Sequence, residues 1–138
     1  MSEGPKALLD ASAVLAYLLK QAGDAAVERV LPVGAITSVN LAEVLYKARE
    51  RGYNNDLAGL HQRLARTGLT VVDVTEADAV QAAELIAASR ANAKSGDSQL
   101  SLGDGICIAV ATRLELLLVG DDRHWETLDL PVAYQPFR

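Results

Sequence analysis

Short apolar runs alternate along the chain with longer segments whose apolar residues recur at helical spacing. This alternation is typical of a parallel sheet covered by helices. The apolar runs predict five strands, at residues 7–9, 35–37, 69–74, 116–119 and near 132–134. Helical connections between parallel strands place helices on both faces of the sheet. The pattern therefore predicts an α/β fold of three layers, α/β/α, around a mostly parallel sheet of four to five strands.

Capping residues, glycines and prolines mark the ends of the predicted helices. Short polar side chains at Asp24, Ser38 and Thr75 are each expected to cap a helix, since they can accept hydrogen bonds from its first turn. Residues 92–101 form a polar loop before a very apolar helix. The predicted helices span 12–20, 24–32, 38–52, 57–68, 75–91 and about 102–114, with a short one inside GDDRHWETLDL.

Length and composition indicate one globular domain over residues 1–138. Half of the residues are apolar, which excludes a disordered chain. The single cysteine, Cys107, is typical of a reducing compartment. The opening MSEGPK is too polar for a signal peptide, and no apolar run approaches the ~20 residues of a membrane span. We expect a soluble, cytoplasmic protein that is not bound to a membrane.

The charge is unevenly distributed. A net charge of −5 argues against a broadly cationic nucleic-acid binder. Between residues 44 and 68, however, two acidic residues accompany five basic ones: Lys47, Arg49, Arg51, Arg63 and Arg66. This basic region is either the solvated face of a helical hairpin or a contact surface.

Acidic residues follow two predicted strands and begin two predicted helices. Asp10 comes directly after the first strand, and Asp121 and Asp122 follow the strand at 116–119. Glu43 lies in the second turn of its helix, and Asp104 begins the most apolar helix. Parallel strands end, and the helices after them begin, at one edge of a sheet, where ligands bind in such folds. We therefore expect these acids to converge.

Each acid also has a purely local explanation. Asp10 and the tandem aspartates can cap the helices that follow them. Asp104 stands three residues after Ser101, as in a capping box, and Glu43 can pair with Lys47 at i, i+4. Such roles do not explain the convergence, since carboxylates within about 6 Å repel by roughly 3 kcal/mol per pair at an effective dielectric of ~20. A bound cation relieves that repulsion, and ligands that are all oxygen favour Mg²⁺ or Mn²⁺.

Four segments carry a resemblance to a known family: LLDASAVLAYL, TSVNLAEVLYK, LSLGDGICIAVA and LLLVGDDRHWETLDL. In this order and spacing they resemble the PIN-domain ribonucleases, most closely the VapC-type toxins of bacterial toxin–antitoxin pairs, over essentially the whole chain. The resemblance implies a Mg²⁺- or Mn²⁺-dependent endoribonuclease that cleaves phosphodiester bonds of RNA. It also implies a homodimer and a small VapB-like antitoxin whose C-terminal segment covers the groove.

The resemblance also implies roles for the acids. The acids of the family fall on Asp10, Glu43, Asp104 and Asp122, which are the implied catalytic residues. Three of them, Asp10, Asp104 and Asp122, are the implied metal ligands. Glu43 is implied to bind the metal directly or through a water molecule.

Further positions of the family motifs surround these acids. The small polar residues of the family fall on Ser12 and Asn40, and we expect these two residues and Asp121 to support the metal ligands. Asp121 replaces a small residue, and Gly120 replaces the usual Ser or Thr, which removes a hydroxyl group. The metal and the basic region are together expected to attract RNA or the antitoxin. The basic residues expected to make this contact are Lys47, Arg49 and Arg51.

Two other functions remain open from the sequence. Another Mg²⁺-dependent phosphoryl-transfer domain, such as a phosphatase or receiver, would carry an aspartate pair or D-x-D near the N-terminus. The first strand here offers Asp10 alone. A non-catalytic PIN-fold module for protein binding would be favoured by the loss of an acid, but all four are present.

Overall fold

In the part of the chain that the structure describes, the sheet has five strands, which all run parallel: Ala7–Leu9 (β1), Gly34–Thr37 (β2), Thr70–Val72 (β3), Leu117–Gly120 (β4) and Tyr134–Pro136 (β5). The computed structural model describes residues 4–53, 56–92 and 99–138. Their order in the sheet is β3-β2-β1-β4-β5. The chain moves outward in one direction from β1 to β3 and then returns to the other side of β1, so the strand order reverses between β1 and β4.

Within the described ranges, six α-helices connect and follow the strands: Ala11–Leu18 (α1), Asp24–Val30 (α2), Ser38–Glu50 (α3), Leu57–Arg66 (α4), Glu76–Asn92 (α5) and Leu102–Leu114 (α6). Short 3₁₀ helices occur at Leu31–Val33 and Arg123–Thr127. All predicted helices are present. The predicted polar loop at 92–101 falls mostly outside the described residues. Of the helices in the described ranges, none combines the length and the apolar character needed to cross a membrane.

An apolar core lies on each face of the sheet. Successive residues of a strand point to opposite faces. Leu9 accordingly packs in the core under α1 to α4, and Leu8 packs in the core under α5 and α6. Helix α6 is buried between the sheet and α5, which explains its very apolar sequence. The three-layer prediction is confirmed.

Two predicted caps are wrong by one residue. Gly23 is the N-cap of α2, and Asp24 is its first helical residue. Thr37 caps α3, where its hydroxyl oxygen accepts a hydrogen bond from the Asn40 amide at 2.9 Å, so Ser38 already lies inside the helix. Thr37 can do this because it ends β2 with an extended backbone, the conformation that an N-cap requires.

The last strand lies later than predicted. Its ladder with β4 pairs Leu118 with Tyr134 and Gly120 with Pro136, so it begins at Tyr134 where the apolar pattern predicted 132–134. The apolar residue Val132 instead packs against the core from the segment before the strand. The other strand and helix ends differ from the prediction by a few residues at most, as is usual where elements fray.

An ion pair between a buried aspartate and a partly exposed arginine joins the two helices of one layer, α5 and α6. Asp78 of α5 is 1% exposed, and the Arg113 guanidinium of α6 donates to both of its carboxylate oxygens at 2.9 and 3.0 Å. As predicted, Thr75 and Asp78 also form a capping box. Burial alone would raise the pKa of Asp78, but the hydrogen bonds from Arg113 and Thr75 outweigh it and hold the pKa below its ordinary value.

We expect Arg113→Met to destabilise the protein by about 2–3 kcal/mol, because it leaves the Asp78 carboxylate buried without its partner. Urea unfolding measures the difference, and the exposed Arg90 of α5 provides the control variant Arg90→Met. The contribution of Asp78 to wild-type stability is present above its ordinary pKa of about 3.9 and is lost as the pH falls through the lower folded-state pKa. Equal effects of the two variants at pH 7 would contradict a stabilising role for the pair.

Candidate active site

A cleft of about 180 Å³ opens at the carboxyl ends of β1 and β4. All five acids that were expected at this edge line it: Asp10, Glu43, Asp104, Asp121 and Asp122. Ser12, Asn40 and Lys47 line it as well. The predicted convergence of the acids is therefore present in the fold.

The sheet order explains why the acids meet. β1 and β4 are neighbours at the point where the strand order reverses, so their ends form a crevice. Asp10 remains hydrogen-bonded to β4, since its amide donates to the carbonyl of Val119 at 2.9 Å. Helices α3 and α6 begin at the same edge and bring Glu43 and Asp104 into the cleft.

Asp10 both caps α1 and faces the cleft. Its Oδ1 accepts hydrogen bonds from the Ser12 hydroxyl at 2.6 Å and the Ala13 amide at 2.9 Å, so the local explanation for this acid is realised. No donor in the described part of the chain reaches its Oδ2. Burial raises the pKa of Asp10 to about 7, and the nearby charges of Asp121 and Asp104 add to the shift.

Gly120 leaves the space that Asp10 occupies. A Cβ atom at position 120 would lie 2.5 Å from the Oδ2 of Asp10 and 3.0 Å from its Cγ. It would also lie 3.3 Å from the hydroxyl oxygen of Tyr134. Any side chain at position 120 would therefore require Asp10 to move. The close approach of Asp10 goes together with a glycine where the family usually has Ser or Thr.

Asn40 connects three elements beneath Glu43. Its side chain is 1% exposed, and its amide donates to the Oε1 of Glu43 at 2.8 Å and to the carbonyl of Gly103 in α6 at 3.2 Å. Its own oxygen accepts from the Thr37 hydroxyl at the end of β2 at 2.7 Å. A Cβ atom at Gly103 would overlap the carboxylate of Glu43, so this glycine also makes room for an acid. Asn40 thus fixes the direction of Glu43.

The local explanations for Glu43 and Asp104 are realised too. The Lys47 ammonium lies 3.5 Å from the Oε2 of Glu43, the expected i, i+4 pair. Asp104 forms the capping box with Ser101, in which its Oδ2 accepts from the Ser101 amide at 2.9 Å. Burial raises the pKa of Asp104, and the charges of Asp122 and Glu43 raise it further.

The two tandem aspartates have different partners. Asp122 caps the 3₁₀ helix, and its Oδ1 accepts from the His124 amide at 2.9 Å. Asp121 instead forms an ion pair with Arg138, at 2.5 Å between Oδ2 and Nη2. Arg138 was not identified from the sequence, since no motif or spacing links it to the acids.

The carboxylate oxygens that line the cleft suit a hard divalent cation, although the side chains are not arranged around a common metal position. Among the described residues, no group of three His, Cys, Asp or Glu side chains is placed to hold a metal ion. Asp10, Asp104 and Asp122 nevertheless each commit one oxygen to a capping hydrogen bond and leave the other without a described donor. Carboxylate oxygens are the ligands that Mg²⁺ and Mn²⁺ prefer. The residues therefore fit such a cation, and its binding remains a prediction.

The basic residues lie at the far end of α3 and in the last turn of α4. Lys47 is the member of this group that lines the cleft. Arg49 and Arg51 are exposed and form no ion pair within the described ranges. Arg63, in contrast, donates to the Tyr53 hydroxyl at 2.6 Å and so holds the hairpin together.

Comparison with known proteins identifies the family. The PIN domain model matches residues 7–130, and the chain therefore belongs to the PIN domain family. This membership excludes the alternative of a phosphatase or receiver domain. No curated protein matches the chain in sequence.

Solved structures share the fold at low sequence identity. A DNA-bound VapBC complex from Salmonella typhimurium has a TM-score of 0.69 and 19% identity, over 97% of this chain and 99% of that chain. A VapC toxin from Mycobacterium tuberculosis that cleaves the sarcin–ricin loop has a TM-score of 0.68 and 16% identity, over 93% and 99%. A toxin–antitoxin complex from Klebsiella pneumoniae has a TM-score of 0.66 and 18% identity, over 93% and 99%.

We expect Asp10→Asn to stabilise the metal-free protein, raising its Tm at pH 8 by about 5 °C. Asparagine preserves the cap, because its oxygen can still accept from Ala13, and it removes the buried charge. Since the pKa of Asp10 is raised in the folded state, the cost of its charge is complete above about pH 7 and declines as the pH falls toward the ordinary value of 3.8. In thermal melts with EDTA, the difference in Tm between Asp10→Asn and wild type should therefore narrow as the pH falls over that range.

The matched control is Asp56→Asn at the exposed cap of α4, where the carboxylate accepts from the Gly59 amide in the same way. This variant should change the Tm little and without the same pH dependence. If Asp10→Asn instead melts below wild type at every pH, the Asp10 carboxylate is a stabilising cap and nothing more.

Proposed function

We propose that the protein is a Mg²⁺- or Mn²⁺-dependent endoribonuclease that cleaves phosphodiester bonds of RNA, and that it is the toxin of a type II toxin–antitoxin module. The observation that carries this proposal is the convergence of five carboxylates in one cleft of a PIN domain. Local roles as caps or ion pairs do not require them to meet there.

The structural neighbours support the choice of substrate and partner. One of them is a toxin that cleaves the sarcin–ricin loop, and others are toxin–antitoxin complexes, some of them bound to DNA. By analogy, we propose RNA as the substrate and a small VapB-like antitoxin as the partner of this chain. A homodimer is part of the same proposal.

The residues that line the cleft have distinct proposed roles. Asp10, Asp104 and Asp122 would hold the cation through the oxygens that their caps leave free, with Glu43 as a direct or water-mediated ligand. When bound, the cation lowers the pKa of a water molecule and neutralises charge on the scissile phosphate. Asn40 fixes the direction of Glu43, and Ser12 holds one oxygen of Asp10. Lys47 supplies a positive charge within the acidic cleft that can contact a phosphate group.

Binding of a polyanion at this cleft requires a positive surface nearby. RNA is repelled by the metal-free acids, and the protein as a whole carries a net charge of −5. The exposed Arg49 and Arg51, at the end of the helix that carries Glu43 and Lys47, can provide this attraction.

Substitution of the acids tests the catalytic role. We expect Asp10→Asn, Glu43→Gln, Asp104→Asn and Asp122→Asn each to lower the rate of Mn²⁺-dependent RNA cleavage by about 100-fold or more. The loss for Asp122→Asn should exceed that for Asp121→Asn. Cleavage of a labelled RNA measures these rates, with Asp56→Asn as the control for a capping acid outside the cleft. Near-wild-type cleavage by Asp10→Asn would overturn the metal-site interpretation.

Charge reversal at the end of α3 tests the basic surface. The double variant Arg49→Glu and Arg51→Glu should weaken binding of RNA or of the antitoxin, and for RNA it should flatten the slope of log K against log salt by about 1.4. The control carries the same charge change on exposed arginines of α2 and α5, Arg29→Glu and Arg90→Glu. Affinities equal to those of the control, for both RNA and the antitoxin, would mean that Arg49 and Arg51 are solvated residues that contact neither ligand.

A further inference from the structure

The turn that carries the tandem aspartates is held from outside the cleft by the segment 134–138. Each residue of the turn has its own contact with this segment. The Phe137 amide donates to the Gly120 carbonyl at 2.9 Å, and the Tyr134 hydroxyl donates to the Asp122 carbonyl at 3.0 Å. The third contact is the ion pair of Arg138 with Asp121. Two of these contacts hold the main chain, and the third sets the direction of a charged side chain.

Arg138 is itself fixed in place. Its Nη1 donates to the carbonyl of Ala22 at 3.1 Å while its Nη2 contacts Asp121. Its guanidinium also lies over the ring of Phe137, 5.0 Å from the centroid. A planar guanidinium with two anchored ends defines both the position and the direction of its carboxylate partner.

This arrangement distinguishes two adjacent acids that line the same cleft. Asp121 directs a carboxylate oxygen to Arg138, and the pair is about one-third exposed, with side-chain exposures of 29% and 33%. Asp122 has no cationic partner within the described residues, and the one described donor to its carboxylate is the neutral backbone amide of His124. We infer that Arg138 is a positioning residue, which withholds Asp121 from the cation and so makes Asp122 the ligand from the tandem pair. The inference rests on the proposed metal site and deepens it.

The physical consequence is that Arg138 limits how tightly the site binds its cation. A released Asp121 would add a carboxylate to a cleft that already holds four, and would increase its attraction for Mn²⁺. Tighter binding of the cation in the ground state slows the reaction unless the transition state gains as much. Loss of Arg138 should therefore raise cation affinity and slow turnover, two effects of opposite sign that general loosening of the turn would not produce.

A double-mutant cycle tests this inference. The proteins are wild type, Arg138→Gln, Asp121→Asn and the double variant, and the measurements are Mn²⁺ affinity by titration calorimetry and kcat and KM for RNA cleavage. Arg138→Gln should tighten Mn²⁺ binding about tenfold and lower kcat about tenfold, with KM little changed. In the Asp121→Asn background, Arg138→Gln should have no further effect on either quantity. The exposed arginine of α2 supplies the control for charge alone, Arg29→Gln.

The outcomes separate the inference from the proposed function. An effect of Arg138→Gln that is the same with and without Asp121 would overturn the inference and make Arg138 a structural contact. Unchanged Mn²⁺ affinity in Arg138→Gln would also overturn it. If the affinities change as expected but no protein cleaves RNA, the inference holds and the ribonuclease proposal fails. A wild type that binds no Mn²⁺ overturns both.

The conservative variant Arg138→Lys covers the case in which Arg138→Gln does not fold, as judged by melts in EDTA. Lysine retains the charge opposite Asp121 and gives up the two-ended anchoring. Mn²⁺ affinity within about threefold of wild type supports the inference, because an ion pair that withholds Asp121 can still form. An affinity about tenfold above wild type would contradict it.

Discussion

Repulsion among carboxylates at the ends of β1 and β4 is the constraint that the surroundings of the cleft must satisfy. The chain meets it locally, because each acid receives hydrogen bonds or an ion pair from neighbouring residues. Asp10 is held by the first turn of α1 and Asp104 by the first turn of α6. A cap uses one carboxylate oxygen and leaves the other, so the positions that best tolerate a buried acid also offer an oxygen to the cleft. The raised pKa of Asp10 shows that burial leaves part of the cost in place.

One carboxylate can therefore both cap a helix and offer an oxygen to a metal ion. From the sequence, these two roles are alternatives. Every local explanation considered for Asp10, Glu43 and Asp104 is realised in the structure, and the same three acids still line one cleft. The cap fixes the rotamer of the acid before any cation arrives, which lowers the entropy that binding must cost. A search for function that discards acids with local partners would discard most of this site.

The parts of the fold that follow from sequence are those that neighbouring residues determine. The spacing of Ser101 and Asp104 predicts a capping box, and apolar runs that end in aspartates predict the strand ends where the acids meet. The caps predicted at Asp24 and Ser38 are each one residue too late, because Gly23 precedes α2 in a left-handed conformation and the Thr37 hydroxyl caps α3 from the end of β2. Contacts between distant segments leave no such pattern. The register of β5, and with it the approach of Arg138 to Asp121, depends on how the last strand pairs with β4.

The distribution of positive charge around the cleft divides its acids into two groups. Glu43 is paired with Lys47, and Asp121 is paired with Arg138. The other three acids, Asp10, Asp104 and Asp122, have no cationic partner in the part of the chain that the structure describes. These are the three residues that the family resemblance implies as metal ligands, and the ion pairs give an independent reason for the same choice. An acid already paired with a side-chain cation gains less from a metal ion than one without such a partner, so the cation should bind where the protein has supplied no positive charge of its own.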